Sequence, residues 1–107
     1  MSSHVVVVGL DDHDMQQALA DAGHTVTHVD IGNRPGLEEA GVIDADVYLL
    51  TEAKQATSIS VAKDLNPDVK IVVYADESLP DFARGQADLL LDPQLFEPAT
   101  VAEEISG

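Results

Sequence analysis

The densest set of reactive side chains is Asp11-Asp12-His13-Asp14, which directly follows the run Val5-Val6-Val7-Val8-Gly9-Leu10. Carboxylates so placed can hold a hard cation or serve the start of a helix. Their position also invites a third chemistry. A strand, then G-x-G-x-x-G, then a helix, with an acid about 20 residues on, is the pattern that binds dinucleotides. Gly9 stands at the first glycine, whereas Asp11 and Asp14 stand where the second and third belong. The second glycine lets backbone approach a pyrophosphate, and the third lets helix and strand pack. A carboxylate at Asp11 obstructs that approach. Each carboxylate–phosphate repulsion costs about 1 kcal/mol in water at close range, and several times more at lower effective dielectric. Asp14 has a second reading as helix N-cap, with Gln17 completing a capping box. Asp30 lies about 20 residues after Gly9, the spacing of the ribose-binding acid. There it either accepts the ribose hydroxyls or ends a strand in a turn.

Other chemistry is absent by pattern. His24 and His28 share a strand face about 13 Å apart, too far to chelate one metal. His4 and His13 form no helical pair with them. No Walker A or G-x-S-x-G sequence occurs. Ser58 and Ser60 have no base nearby in sequence, and Glu38-Glu39 and Glu103-Glu104 read as solvated helix faces. With no cysteine, disulfides, thiolate metal sites and cysteine nucleophiles are excluded. No constellation specifies catalysis, so a non-enzymatic role is expected.

The chain's 107 residues suit a single domain, residues 1–107, and 45% hydrophobic content suffices for its core. Twenty acids against five bases give a net charge of −15. Such a surface repels itself in dilute salt, and molar salt shortens the screening length to about 3 Å. The composition therefore fits a halophilic, acidic protein of a salt-rich cytoplasm. It disfavours nucleic acid and anionic membranes as partners, because nothing neutralises rows of phosphates. No apolar run approaches the roughly 18 residues of a membrane span. The N-terminus lacks the charge of a signal peptide, so a cytoplasmic location is expected.

The elements that must position these residues alternate strictly. Strands are expected at His4–Leu10, His24–Val29, Asp46–Leu50, Val69–Tyr74 and Asp88–Leu91. Helices are expected at Met15–Ala22, Pro35–Ala40, Glu52–Leu65 (with Thr51 as cap), Pro80–Arg84 and Pro98–Ile105. Continuous apolar runs suit strands covered on both faces. Right-handed crossovers then give an α/β fold with one doubly wound parallel five-stranded sheet. Its order is Rossmann-like, 3-2-1-4-5, with the flavodoxin- or receiver-like order 2-1-3-4-5 as the alternative. Either places a ligand beyond the carboxyl ends of the strands. The candidate binding residues are therefore Gly9, Leu10, Asp11, Asp12, Asp30, Ile31, Thr51, Glu52 and Tyr74. Two sheet edges need cover, so a homodimer is expected.

The segments Val5–Gly9, His24–Asp30 and Ala45–Glu52 resemble the RCK or TrkA-N domain of regulators of potassium conductance. Ala62–Tyr74 and Gly85–Pro93 extend the resemblance over almost the whole chain. More narrowly, the chain is similar to short stand-alone haloarchaeal proteins. The resemblance implies a regulatory domain that binds NAD(H) or another adenine nucleotide and acts through ligand sensing or self-association. Gly9 would then lie under the phosphates, Asp30 on the ribose, and Thr51 and Glu52 beside the nucleotide. Transporter coupling is the partner it implies.

Response-regulator receivers offer a second resemblance, since Asp11-Asp12 mimics their Mg²⁺-binding acid pair. Receivers need a phosphoacceptor aspartate after strand three and a lysine after strand five. This sequence has Thr51 and Asp92 there, which leaves a pseudo-receiver with an acidic cation site, or an interaction module with an empty crevice.

Overall fold

A computed structural model of the chain describes residues 3–11 and 13–106. Five strands alternate with five helices: β1 His4–Val8, α1 Met15–Asp21, β2 Thr25–Val29, α2 Arg34–Glu39, β3 Val47–Leu50, α3 Thr57–Leu65, β4 Lys70–Tyr74, α4 Asp81–Arg84, β5 Leu89–Leu91 and α5 Pro98–Ser106. Short 3-10 turns at Val42–Asp44 and Ala53–Gln55 precede β3 and α3. All strand pairs are parallel.

The sheet is the doubly wound parallel one expected, and its order is β2-β1-β3-β4-β5. Of the two orders considered, the receiver-like one is present and 3-2-1-4-5 is not. The physical reason lies in β2 and β3. All four residues of β3, Val-Tyr-Leu-Leu, are buried, as a central strand requires. β2, Thr-Val-Thr-His-Val, leaves Thr25 and His28 exposed and suits an edge. The order 3-2-1-4-5 would put the polar strand inside and the apolar one at the rim.

Side chains alternate between two cores. Val6, Val8, Tyr48, Leu50, Ile71 and Val73 pack with Leu37 of α2, Ile59 of α3 and Ala83 of α4. Val5, Val7, Val47, Leu49, Val72 and Tyr74 pack with Met15 and Leu19 of α1 and Val101 of α5. The Val5–Val8 run is thus buried on both faces. The buried polar side chains of Tyr48, Ser58 and His24 all find partners. Tyr48 donates to Ser58 Oγ at 2.6 Å, and Ser58 donates onward to the Gln55 carbonyl at 2.6 Å. Burial raises the Tyr48 hydroxyl to about 12, against the smaller opposing effect of the Ser58 bond. His24 Nδ1 accepts the Ser3 N–H at 3.1 Å.

Element boundaries moved where caps decided them. β1 stops at Val8 because Gly9 turns to φ +106°. α3 begins five residues later than Glu52, since the Ala53–Gln55 turn intervenes. The Asp14–Gln17 capping box does not form: Asp14 makes no capping bond, and Gln17 Nε2 donates to Asp21 Oδ1 at 2.9 Å. At α2, Asn33 Oδ1 accepts the Gly36 N–H at 2.9 Å, the expected type of cap.

Candidate functional site

The carboxyl ends of β1, β3 and β4 meet under the loops that carry the candidate residues. Gly9 sits where two loops come too close for a side chain. A Cβ there would lie 2.7 Å from Thr51 Oγ1 and 2.9 Å from Glu52 Cγ. Its φ of +106° is also one that side chains disfavour. The glycine thus serves contact between the β1 and β3 loops. Its carbonyl hydrogen-bonds His28 Nε2 at 2.7 Å, so that ring nitrogen carries the hydrogen.

Asp11 faces the helix that follows. Its Oδ1 accepts the Met15 N–H at 2.7 Å, and its Oδ2 accepts the Gln16 N–H at 3.0 Å. Both oxygens thereby satisfy orphan amides of the first turn of α1, the place a pyrophosphate would occupy in a dinucleotide fold. Asp14 instead adopts a left-handed backbone, φ 55° and ψ 39°. Asp12 lies outside the described residues.

Glu52 organises the site. Its Oε1 accepts the Leu10 N–H at 2.9 Å and Gln55 Nε2 at 3.0 Å, and its Oε2 lies 3.1 Å from Lys54 Nζ. Desolvation pushes this carboxyl up, but the bonds from Lys54, Leu10 and Gln55, with the Lys54 charge, outweigh it and hold it below its ordinary value. Gln55 extends the clasp to the third loop. Its Nε2 donates to the Asp30 carbonyl at 2.9 Å, and its Oε1 accepts the Gly32 N–H at 2.8 Å. Gln55 was not among the residues singled out from sequence. An amide carries no charge signature, and only the fold brings it to the β2 loop.

Thr51 directs both its N–H and its hydroxyl at the Val8 carbonyl, each at 3.0 Å. Its oxygen is a donor tied to backbone, with no base bonded to it. Tyr74 is buried and donates to the Phe96 carbonyl at 2.6 Å. Burial, then Glu97 and Asp92, push its hydroxyl up. The His13 ring meets the Tyr74 ring edge-on at 5.6 Å between centroids.

The structure brings Leu10, Thr51, Glu52 and Tyr74 around one small cavity of about 130 Å³, with His13, Asp76 and Glu77. Three carboxylates and no lysine or arginine line it, which disfavours a phosphate. Asp30 and Ile31 do not line this cavity. The Asp30 side chain is 83% exposed and 3.7 Å from His28 Nε2. Ile31 lines a separate opening of about 470 Å³ with Arg34 and Lys54. Neither Asp30 nor Gly9 is among the residues that line these two openings. Among the described residues, no group of three His, Asp or Glu is placed to hold a metal ion.

Residues 5–105 match the model of one protein family, described as a family of unknown function (DUF7126). No curated protein matches the chain. Several solved structures do. An orphan response regulator of H. pylori is 13% identical, with 98% of this chain and 94% of that one covered and a TM-score of 0.75. A response regulator from Thermotoga maritima is 14% identical over 99% of this chain and 96% of that one, with a TM-score of 0.73. A CheY-like response regulator receiver domain protein from Methanospirillum hungatei JF-1 is 16% identical over 99% and 92%, with a TM-score of 0.72. At such identities the likeness is one of fold.

These findings overturn the resemblance to the RCK or TrkA-N domain, and with it the reading as a nucleotide-binding regulator. The chain shares its sheet order with receivers. Two of the five segments that suggested the resemblance, Val5–Gly9 and Ala45–Glu52, are adjacent central strands with their following turns, a pattern common to many parallel sheets. The expectation of NAD(H) or an adenine nucleotide loses the resemblance that carried it.

Proposed function

The chain belongs to DUF7126, a family of unknown function, and we propose that it is a pseudo-receiver: a receiver-shaped, non-catalytic module that acts through its surfaces on another protein. The observation that carries this reading is Thr51. It occupies the end of β3, where a receiver needs its phosphoacceptor aspartate, and its hydroxyl is tied to the Val8 carbonyl at 3.0 Å. Asp92 follows β5 where a receiver needs a lysine. Asp11, one half of the apparent acid pair, has both oxygens on α1 amides. Glu52 contributes a fixed negative charge beside the loops that in a receiver face the phosphoryl group. Its bonds to Leu10 and Gln55 favour a single loop arrangement.

Incubation with acetyl phosphate and Mg²⁺, read by intact mass spectrometry, tests the proposal. The mass should stay unchanged, and Mg²⁺ should leave the amide NMR spectrum around Leu10 and Thr51 in place. A phosphoryl adduct on any aspartate, or a saturable Mg²⁺ shift at Asp11, would falsify it.

A further inference from the structure

We propose that the outer edge of β2 is a self-association surface, which joins two copies by antiparallel β2–β2 pairing about a two-fold axis at Thr27. The inference goes beyond the pseudo-receiver reading and does not depend on it. The sheet has two edges, β2 and β5. β5 is three residues long and sits between Asp88 and Asp92, and short edges flanked by charge resist strand addition. β2 has five residues, Thr-Val-Thr-His-Val, and no acid occurs from Ala22 to Val29. In a chain of net charge −15, two copies repel over most of their surface, and along this edge the five strand residues that would pair carry no carboxylate.

The backbone supplies the bonds. The Thr25 N–H donates to the Ser3 carbonyl and the Val29 carbonyl accepts from Gly9, both at 2.9 Å, so residues 25, 27 and 29 address β1. Alternation along a strand turns the N–H and C=O of Val26 and His28 away from β1. With Thr27 opposite Thr27 of the second copy, Val26 faces the second copy's His28, and such opposed residues exchange both hydrogen bonds. Side-chain faces agree in this register. Thr27 and Val29 pair with Val6 and Val8 and share their face. On that face Thr27, Val29, Gly36, Glu39 and Ala40 line a groove of about 280 Å³. It leaves room for the incoming Thr25 and Thr27 side chains. Glu39 is the acid in its lining, so salt should favour association.

Sedimentation of the full chain over a concentration series, in dilute and in molar KCl, tests this. A concentration-dependent dimer that strengthens with KCl is expected. Val26→Pro deletes an outward N–H without removing a β1 bond, and it should leave a folded monomer. Leu90→Glu, on β5, should still dimerise. Hydrogen exchange on the unmodified chain keeps the test independent of mutant folding: the Val26 and His28 amides should be protected in the dimer and exchange freely on dilution. A monomer under all conditions overturns the proposal. So does a dimer that survives Val26→Pro, one lost in Leu90→Glu, or one whose Val26 and His28 amides exchange freely.

Discussion

The Glu52 carboxylate accepts the Leu10 amide at 2.9 Å, so the turn after β3 holds the turn after β1. The same oxygen binds Gln55, whose amide reaches the backbone of Asp30 and Gly32. Three loops at the carboxyl edge of the sheet are therefore tied together by the Glu52 and Gln55 side chains. Glu52→Ala leaves the exposed Leu10 N–H to water, and loss of about 1 kcal/mol is expected from urea unfolding in molar KCl. Gln55→Ala should free the β2 loop, with faster amide exchange at Gly32 and little change at Leu10.

The acid limb of stability carries a Glu52 contribution with a definite sign. Its folded carboxyl lies below the ordinary 4.5. The contribution is complete above the unfolded value and is lost as pH falls through the folded one. Glu52→Gln should therefore flatten part of the stability decline below about pH 4.5. An unaltered acid limb in a pH series of melting curves would contradict this.

Asp11 and Asp14 should respond in opposite directions. Asp11→Ala removes the acceptor of the Met15 and Gln16 amides, with an expected loss of about 1 kcal/mol. Asp14 holds φ 55° with no capping bond, so Asp14→Gly should relieve a left-handed backbone and stabilise by up to about 1 kcal/mol. Thermal melts of the two variants are sufficient to check the pair.

Gly9 and Gly23 both have positive φ, but only Gly9 is crowded. A Cβ on Gly9 meets Thr51 Oγ1 at 2.7 Å, whereas one on Gly23 meets nothing within 4 Å. Gly23→Ala should cost about 1 kcal/mol from backbone strain alone. Gly9→Ala should cost clearly more and shift the Leu10 and Thr51 amide resonances. Equal losses would mean that the β1–β3 loop contact does not constrain Gly9.

Charge should make stability strongly salt dependent. With a net charge of −15, folding brings like charges together, and screening weakens that penalty. Melting temperature should rise from dilute to molar KCl. A flat series would remove the case for adaptation to a salt-rich interior.

Apolar periodicity in the sequence determined the strand–helix alternation, the parallel sheet and the carboxyl-edge location of the loops. Those features depend on which residues avoid water, and the runs at Val5–Val8 and Val47–Leu50 state that locally. The strand order was also partly legible, in the contrast between the polar face of Thr25–His28 and the fully apolar β3. Gly9 and Asp30 match the spacing of a nucleotide pattern, which points to the other order. Only the tertiary structure decided what those residues do. Gly9 is a glycine because Thr51 and Glu52 pack against it from a strand more than 40 positions away in the chain. The Asp11 carboxylate accepts α1 amides, and the exposed Asp30 is not among the residues that line the small acidic cavity. Hydrogen-bond partners across loops depend on three-dimensional approach, and local spacing carries no record of it.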